Sequence, residues 1–230
     1  MGVGKDLAAT PIIYTMDTGR KWVVVRIDGK IAALSTDYRL LAQISARLAD
    51  GGRKTSDESR NVFQEITATT VSFAEVMKLK ETTVWEDLML FGTEFQKSVW
   101  RKLWNLTHLP EVNTAKGEAF CTKMDGAKGV GPHLVSYSDF AELCQNRAGV
   151  RAVAHAVGLN PVSVIIPCHL VVPKESIDKI REIRKKAEST IFRGDDLCLE
   201  SILLDPAIDF GEYALGKRLK RELISMELIK

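Results

Sequence analysis

The chain has 230 residues, of which 45% are apolar and 27% charged, with a net charge of +2. This is the composition of a folded protein with one large or two small domains, and it excludes collagenous, coiled-coil and wholly disordered chains. The apolar runs are too short to span a bilayer, and the near-neutral charge excludes a molecule-wide polyanion-binding surface, so any nucleic-acid contact must come from a local patch.

Taken in chain order, Pro11 to Met16, Lys21 to Ile27 and Lys30 to Leu34 read as strands. Turns at Asp17-Thr18-Gly19 and Asp28-Gly29 predict an antiparallel meander. Leu40, Leu41, Ile44 and Leu48 then share one face of a helix starting at about Asp37. A polar loop follows Gly51-Gly52, Asn61 to Thr70 is strand-like, and Ser72 with Glu75 has capping-box spacing for a helix through Lys80. Thr93 and Gln96 repeat that signature and open a helix to about Thr107, with Phe95, Val99, Trp100, Leu103 and Trp104 as its buried stripe. Pro110 to Pro132 reads as a loop insertion.

Ser136 and Asp139 start a short helix carrying Tyr137, Phe140, Ala141 and Cys144. Asn146 to Gly149 is a turn, and Val150 to Val157 is a second short helix closed by Gly158. Two short helices around a tight turn have helix-turn-helix grammar, which by itself implies no ligand. The second helix carries Ala152, Ala154 and Ala156, small residues that permit close approach to a partner or close helix packing. Asn160 to Val172 reads as an apolar strand ending in Pro167-Cys168-His169. Gly216 then turns the chain into a last helix with Leu219, Leu223 and Ile224 inside.

The cysteines Cys121, Cys144, Cys168 and Cys198 make no metal-binding spacing. The first residues lack a secretory pattern, so reduced thiols in the nucleus or cytoplasm are expected. Cys168 beside His169 is a candidate thiolate nucleophile, because a neighbouring imidazole lowers a thiol pKa and a carboxylate can orient the imidazole. The alternative is that Cys168 is a small buried hydrophobe. Neighbours on a strand point to opposite faces, so the two side chains meet only where the chain bends, and Pro167 supplies a bend.

With its surroundings, this motif resembles the O6-alkylguanine-DNA alkyltransferases (methylated-DNA–protein-cysteine methyltransferases). The resemblance runs through Gly92-Thr93-Glu94-Phe95-Gln96, Val99-Trp100, Ser136-Tyr137, Phe140 to Leu143, Arg151 to Ala154, Asn160-Pro161, Ile165 to His169 and Tyr213 to Glu227. It implies an α/β (α+β) fold, with a small N-terminal mixed α/β ribonuclease-H-like domain over residues 1–90. A C-terminal, mostly helical domain with a helix-turn-helix of the winged-helix type would span residues 91–230, with insertions at about 110–135 and 173–211.

The activity implied is direct DNA repair. The protein binds duplex DNA, flips the lesion out, and moves the alkyl group of O6-alkylguanine, and of O4-alkylthymine, irreversibly onto its own cysteine. By resemblance Cys168 is the acceptor, His169 deprotonates it through a water, and Glu227 orients His169. Asn160 bridges helix and active-site segment. Tyr137 assists rotation and binds the flipped base, Arg151 fills the vacated space, and Ala152 and Ala154 lie against the minor groove. Tyr213, Ala214 and Pro167 belong to the base pocket. No cofactor and no metal are implied. The partner is double-stranded DNA containing alkylated guanine, no membrane is involved, and the protein is monomeric.

Departures from the family pattern are Leu170 where arginine is usual and Ala214 where serine is common. Ser176 to Thr190 carries an apolar stripe of Ile177, Ile180, Ile183 and Ala187 flanked by Lys179, Arg181, Arg184, Lys185 and Lys186. This is a solvated amphipathic helix or an added contact to the DNA backbone. Two other functions are compatible with parts of the pattern. One is a non-catalytic alkylated-base-binding or regulatory DNA-binding protein. The other is a Cys-His-Glu thiol hydrolase, which leaves Arg151 and Asn160 unexplained.

Overall fold

A computed structural model describes residues 20–36, 65–108, 134–188 and 205–228. Strands β1 (Trp22–Ile27) and β2 (Lys30–Ser35) form an antiparallel hairpin. Its turn places Asp28 and Gly29 at φ 48° and 79°, left-handed values that an Asp-Gly pair tolerates well. Strand β3 (Ile66–Val71) pairs antiparallel with the other side of β1, giving the order β2-β1-β3. The hairpin follows the sequence expectation, and β3 occupies the second edge of β1. The expected strand over Pro11–Met16, the helix from Asp37 and the loop insertion lie outside the described residues.

Helix α1 (Phe73–Thr82) starts on the expected box: the Ser72 N–H donates to Glu75 Oε2 at 2.7 Å, and the Glu75 N–H to Ser72 Oγ at 3.3 Å. In helix α2 (Glu94–His108), Thr93 and Gln96 do the same at 3.0 and 3.2 Å. Val99, Trp100, Leu103 and Trp104 are buried as the periodicity requires. Phe95 is not; it is 39% exposed, in a first turn that also carries the solvent-side Glu94–Lys97 pair.

The end of the expected insertion is ordered as strand β4 (Val135–Ser136), followed by helix α3 (Tyr137–Leu143), a 3-10 turn at Arg147–Gly149 and helix α4 (Val150–Gly158). The Ser136 hydroxyl caps α3 by accepting from the Asp139 N–H at 3.1 Å. Gly158 is the last helical residue rather than a left-handed stop, and the Leu159 N–H closes the helix onto His155 and Ala156. Inside, the Trp100 indole donates to the Ala156 carbonyl at 2.8 Å and pins α4 to α2.

The apolar run from Asn160 is a buried loop, which corrects the strand expectation. Leu34 on the β2 edge donates to Pro161 O at 2.9 Å, and the Ser163 N–H donates back to Leu34 O at 3.0 Å. Pairing ends there. Val164 turns at φ 73°, and the Ile166 N–H folds back onto Val162 O at 3.0 Å. Pro167 then centres an inverse γ-turn (φ −81°, ψ 59°), with the Cys168 N–H on Ile166 O at 2.8 Å. A single 3-10 turn, Cys168–Leu170, leads to strand β5 (Val171–Val172), parallel to β4. Periodicity alone cannot tell a buried loop from a buried strand, since both are continuously apolar.

Helix α5 (Lys174–Glu188) buries Ile177 and Ile180 with Ile208, Phe210 and Ile224, while the side chains of Arg184 to Lys186 and Ala187 lie outside the described set. Gly216 at φ 94° opens helix α6 (Lys217–Leu228), whose Leu219 and Leu223 join the main core. That core also takes Trp22, Ile31, Val76, Trp100, Phe140, Val153 and Ile165, so the described part is a mixed α/β fold with small sheets packed against helices. Among the described residues, no helix is long and apolar enough to cross a membrane.

Candidate functional site

Asn160 leaves α4 and is buried. Its Nδ2 donates to Ile166 O at 2.8 Å and to Cys168 Sγ at 3.1 Å, while its Oδ1 accepts from the Val162 N–H at 3.0 Å. One side chain thus holds both ends of the loop and aims an amide at the sulfur. The Cys168 thiol points toward the Tyr213 hydroxyl at 3.9 Å, and it is 7% exposed. Burial pushes the thiol pKa up, while the Asn160 and Tyr213 hydrogen bonds and the Lys220 charge pull it back. Burial, and then the nearby sulfur, push Tyr213 well above its ordinary value, so its hydroxyl stays protonated.

The Pro167 bend brings His169 next to Cys168 within one turn, with no direct hydrogen bond between the two side chains. His169 is fully buried, with Nε2 facing Glu227 Oε1 at 3.4 Å and Nδ1 unpartnered. Burial, followed by the charges of Lys80 and Lys220, holds its pKa well below the ordinary range, so the ring is a neutral base. Glu227 also ion-pairs with Lys80 from α1, through the same carboxylate oxygen.

Lys220 is buried too: its ammonium donates to Val171 O at 2.8 Å and lies 5.8 Å from the centre of the Tyr137 ring. Burial brings Lys220 down to about 8 against the opposing pull of Cys168, Asp209 and Glu212. Burial, then the Cys168 and Glu212 charges, push Tyr137 up, so it stays a hydrogen-bond donor. Lys220 lies in the Tyr213 to Glu227 stretch of the motif reading but has no role there, and Lys80 lies outside every motif. A sign of Lys80 was nonetheless present, since it sits one helical repeat after buried Val76, where an apolar residue belongs.

Of the other expected residues, Pro167 is buried beside the thiol and Tyr137 is half-buried. Arg151 and Ala152 are exposed on the outer face of α4, Ala154 is half-buried, and Ala214 is exposed. Among the described residues, no group of three or more His, Cys, Asp or Glu side chains is placed to hold a metal ion. The arrangement can form a thiolate under a neutral imidazole and present it as a nucleophile.

Residues 132–188 match the family model "6-O-methylguanine DNA methyltransferase, DNA binding domain". Over that stretch, the resemblance drawn from the motifs is shown. A probable methylated-DNA–protein-cysteine methyltransferase of Acanthamoeba polyphaga mimivirus is 36% identical over 90 residues, covering 39% of this chain and 45% of the relative. The inducible methylated-DNA–protein-cysteine methyltransferase of Bacillus subtilis is 36% identical over 83 residues, covering 36% and 34%. The chain thus spans less than half the length of these curated relatives. The crystal structure of O6-methylguanine-DNA methyltransferase from Pyrococcus kodakaraensis has a TM-score of 0.42 at 19% identity, covering 90% of this chain and 91% of that one. At that score the likeness carries no weight.

Proposed function

We propose that the protein repairs DNA by moving the alkyl group of O6-alkylguanine, and of O4-alkylthymine, onto Cys168 in a single irreversible turnover. The observation that carries this reading is the Cys168 sulfur held by Asn160 at 3.1 Å, beside a buried, neutral His169 that faces Glu227. Asn160, Cys168 and His169 directly follow a helix pair inside the segment that matches a DNA-binding domain model.

In this reading Arg151 and Ala152 on the exposed face of α4 enter the minor groove with Ala154, and Arg151 fills the space left by the flipped base. Tyr137, Tyr213, Pro167 and Ala214 receive that base. The Cys168 proton passes to His169 Nδ1 through a water, and Glu227 steadies the resulting imidazolium. The thiolate attacks the alkyl carbon, the C–S bond forms as the C–O bond breaks, and the electron pair returns to the base. Tyr137, kept protonated, donates to the base ring as charge develops there. The thioether is stable, so the protein is consumed.

The same reading divides the chain into a ribonuclease-H-like domain over residues 1–90 and a winged-helix-type domain over 91–230, acting as a monomer in the nucleus or cytoplasm. The test is intact mass after incubation with a duplex carrying O6-methylguanine. One added methyl that disappears in Cys168→Ser supports transfer. Binding without added mass supports a non-catalytic alkylated-base-binding protein instead.

A further inference from the structure

Lys80 is hard to explain as packing. It lies on α1 and is 6% exposed, at the second of the two buried positions of that helix, after Val76. A buried ammonium is costly unless it is well paired. Its partner is Glu227, on the last helix of the chain, and the carboxylate oxygen that takes the Lys80 ammonium is the one that faces His169 Nε2 at 3.4 Å. Glu227 is therefore gripped from two sides, by α1 and by the Cys168–Leu170 turn. Among the described residues this is a salt link between the sheet-bearing N-terminal part and the groups beside the thiol.

We propose that Lys80 is a positioning residue of the alkyl-acceptor site: it clamps Glu227 against His169, so that the thiol is activated only when α1 is docked on α6. The inference rests on the reading of Cys168 as acceptor and deepens it. The turn itself, Cys168-His169-Leu170, contributes no lysine or arginine. The cation comes from α1.

The groups facing His169 are Glu227 and Lys220 from α6, Lys80 from α1 and Cys168 from its own turn. His108 at the end of α2 faces Lys80 in turn, and the two repel when both are charged. With Lys80 in place, Glu227 is held at His169 Nε2, ready to steady the imidazolium that forms on transfer, while the nearby ammonium keeps the resting ring a free base. Without Lys80, the carboxylate is no longer held at Nε2, so the imidazolium formed on transfer loses its support and transfer slows, and the cation that depresses His169 is gone, so its titration rises.

The test compares the wild-type chain with Lys80→Met and Lys80→Arg. Single-turnover methyl transfer from an O6-methylguanine duplex is followed against pH, and the His169 ring is titrated by NMR. Lys80→Met is expected to slow transfer at neutral pH about tenfold and to move both the acidic limb and the His169 titration up by about one pH unit, with Lys80→Arg restoring both. Unchanged rate and limb in Lys80→Met would overturn the clamp. So would a slower rate with an unmoved His169 titration, which marks a merely structural lysine. If Lys80→Met does not fold, Lys80→Gln carries the same comparison. If wild type transfers no methyl, the acceptor reading falls, and the His169 titration still decides the clamp.

Discussion

From Asn160 to Val172 every residue is buried, whereas just before it, on α4, Arg151, Ala152 and His155 are exposed. The loop is held by internal hydrogen bonds of Asn160 and by β2, and the helix by Trp100 behind it. In the proposed reading, the difference lets one short stretch serve two tasks. Thiol activation needs fixed distances and low dielectric, while groove contact needs small, accessible side chains. Changes in the loop should therefore damage chemistry and stability together, and changes on the helix face should damage DNA contact alone.

The largest effect is expected at Asn160. In Asn160→Ala, Ile166 O and the Val162 N–H lose buried partners and the sulfur loses its donor, so about 2–3 kcal/mol of stability and at least about a hundredfold in transfer rate should be lost. Denaturant melts and single-turnover assays read the two losses. Next comes Ala152→Glu, which places a negative charge against the phosphates. DNA binding should weaken by roughly tenfold or more with stability unchanged within about 0.5 kcal/mol. Transfer from a free alkylated base should stay at the wild-type rate, and a loss there would break the separation of the two regions.

His169 sharpens the comparison through pH. Its folded pKa is depressed, so as pH falls below about 6.5 the unfolded chain takes up a proton that the native ring refuses. Stability should be complete above that pH and should fall by about 1.4 kcal/mol per pH unit below it. His169→Gln should flatten that slope in melts recorded against pH. Trp100→Phe removes the bond to Ala156 O and should cost about 1–2 kcal/mol without altering transfer from a free base. The smallest effect is expected for Cys144→Ser. Burial pushes that thiol to about 11, and its loss should leave the methyl count at one.

The parts of this design that rest on local rules are legible in the sequence. Capping boxes at Ser72 and Thr93 set helix starts, Asp28-Gly29 sets the hairpin, and the Trp100–Trp104 stripe sets a core face. The motifs around Tyr137, Arg151, Asn160 and Cys168 point to the candidate site through the family resemblance. What escaped depends on contacts between segments far apart in the chain. The 160–166 run is apolar because everything around it is core, and its turn at Val164 leaves no periodic trace. The partners of Lys80 and Lys220 emerge only when α1 and α6 are packed, and Phe95 fits a stripe whose first turn remains in solvent.

The central claim is that Cys168 is the atom-level acceptor. Fragment mass spectrometry of the full chain after exposure to an O6-methylguanine duplex tests it most directly. The account predicts one methyl group, on the sulfur of Cys168, and none on Cys144. A methyl on any other residue, or none in a chain that still binds the duplex, would contradict it.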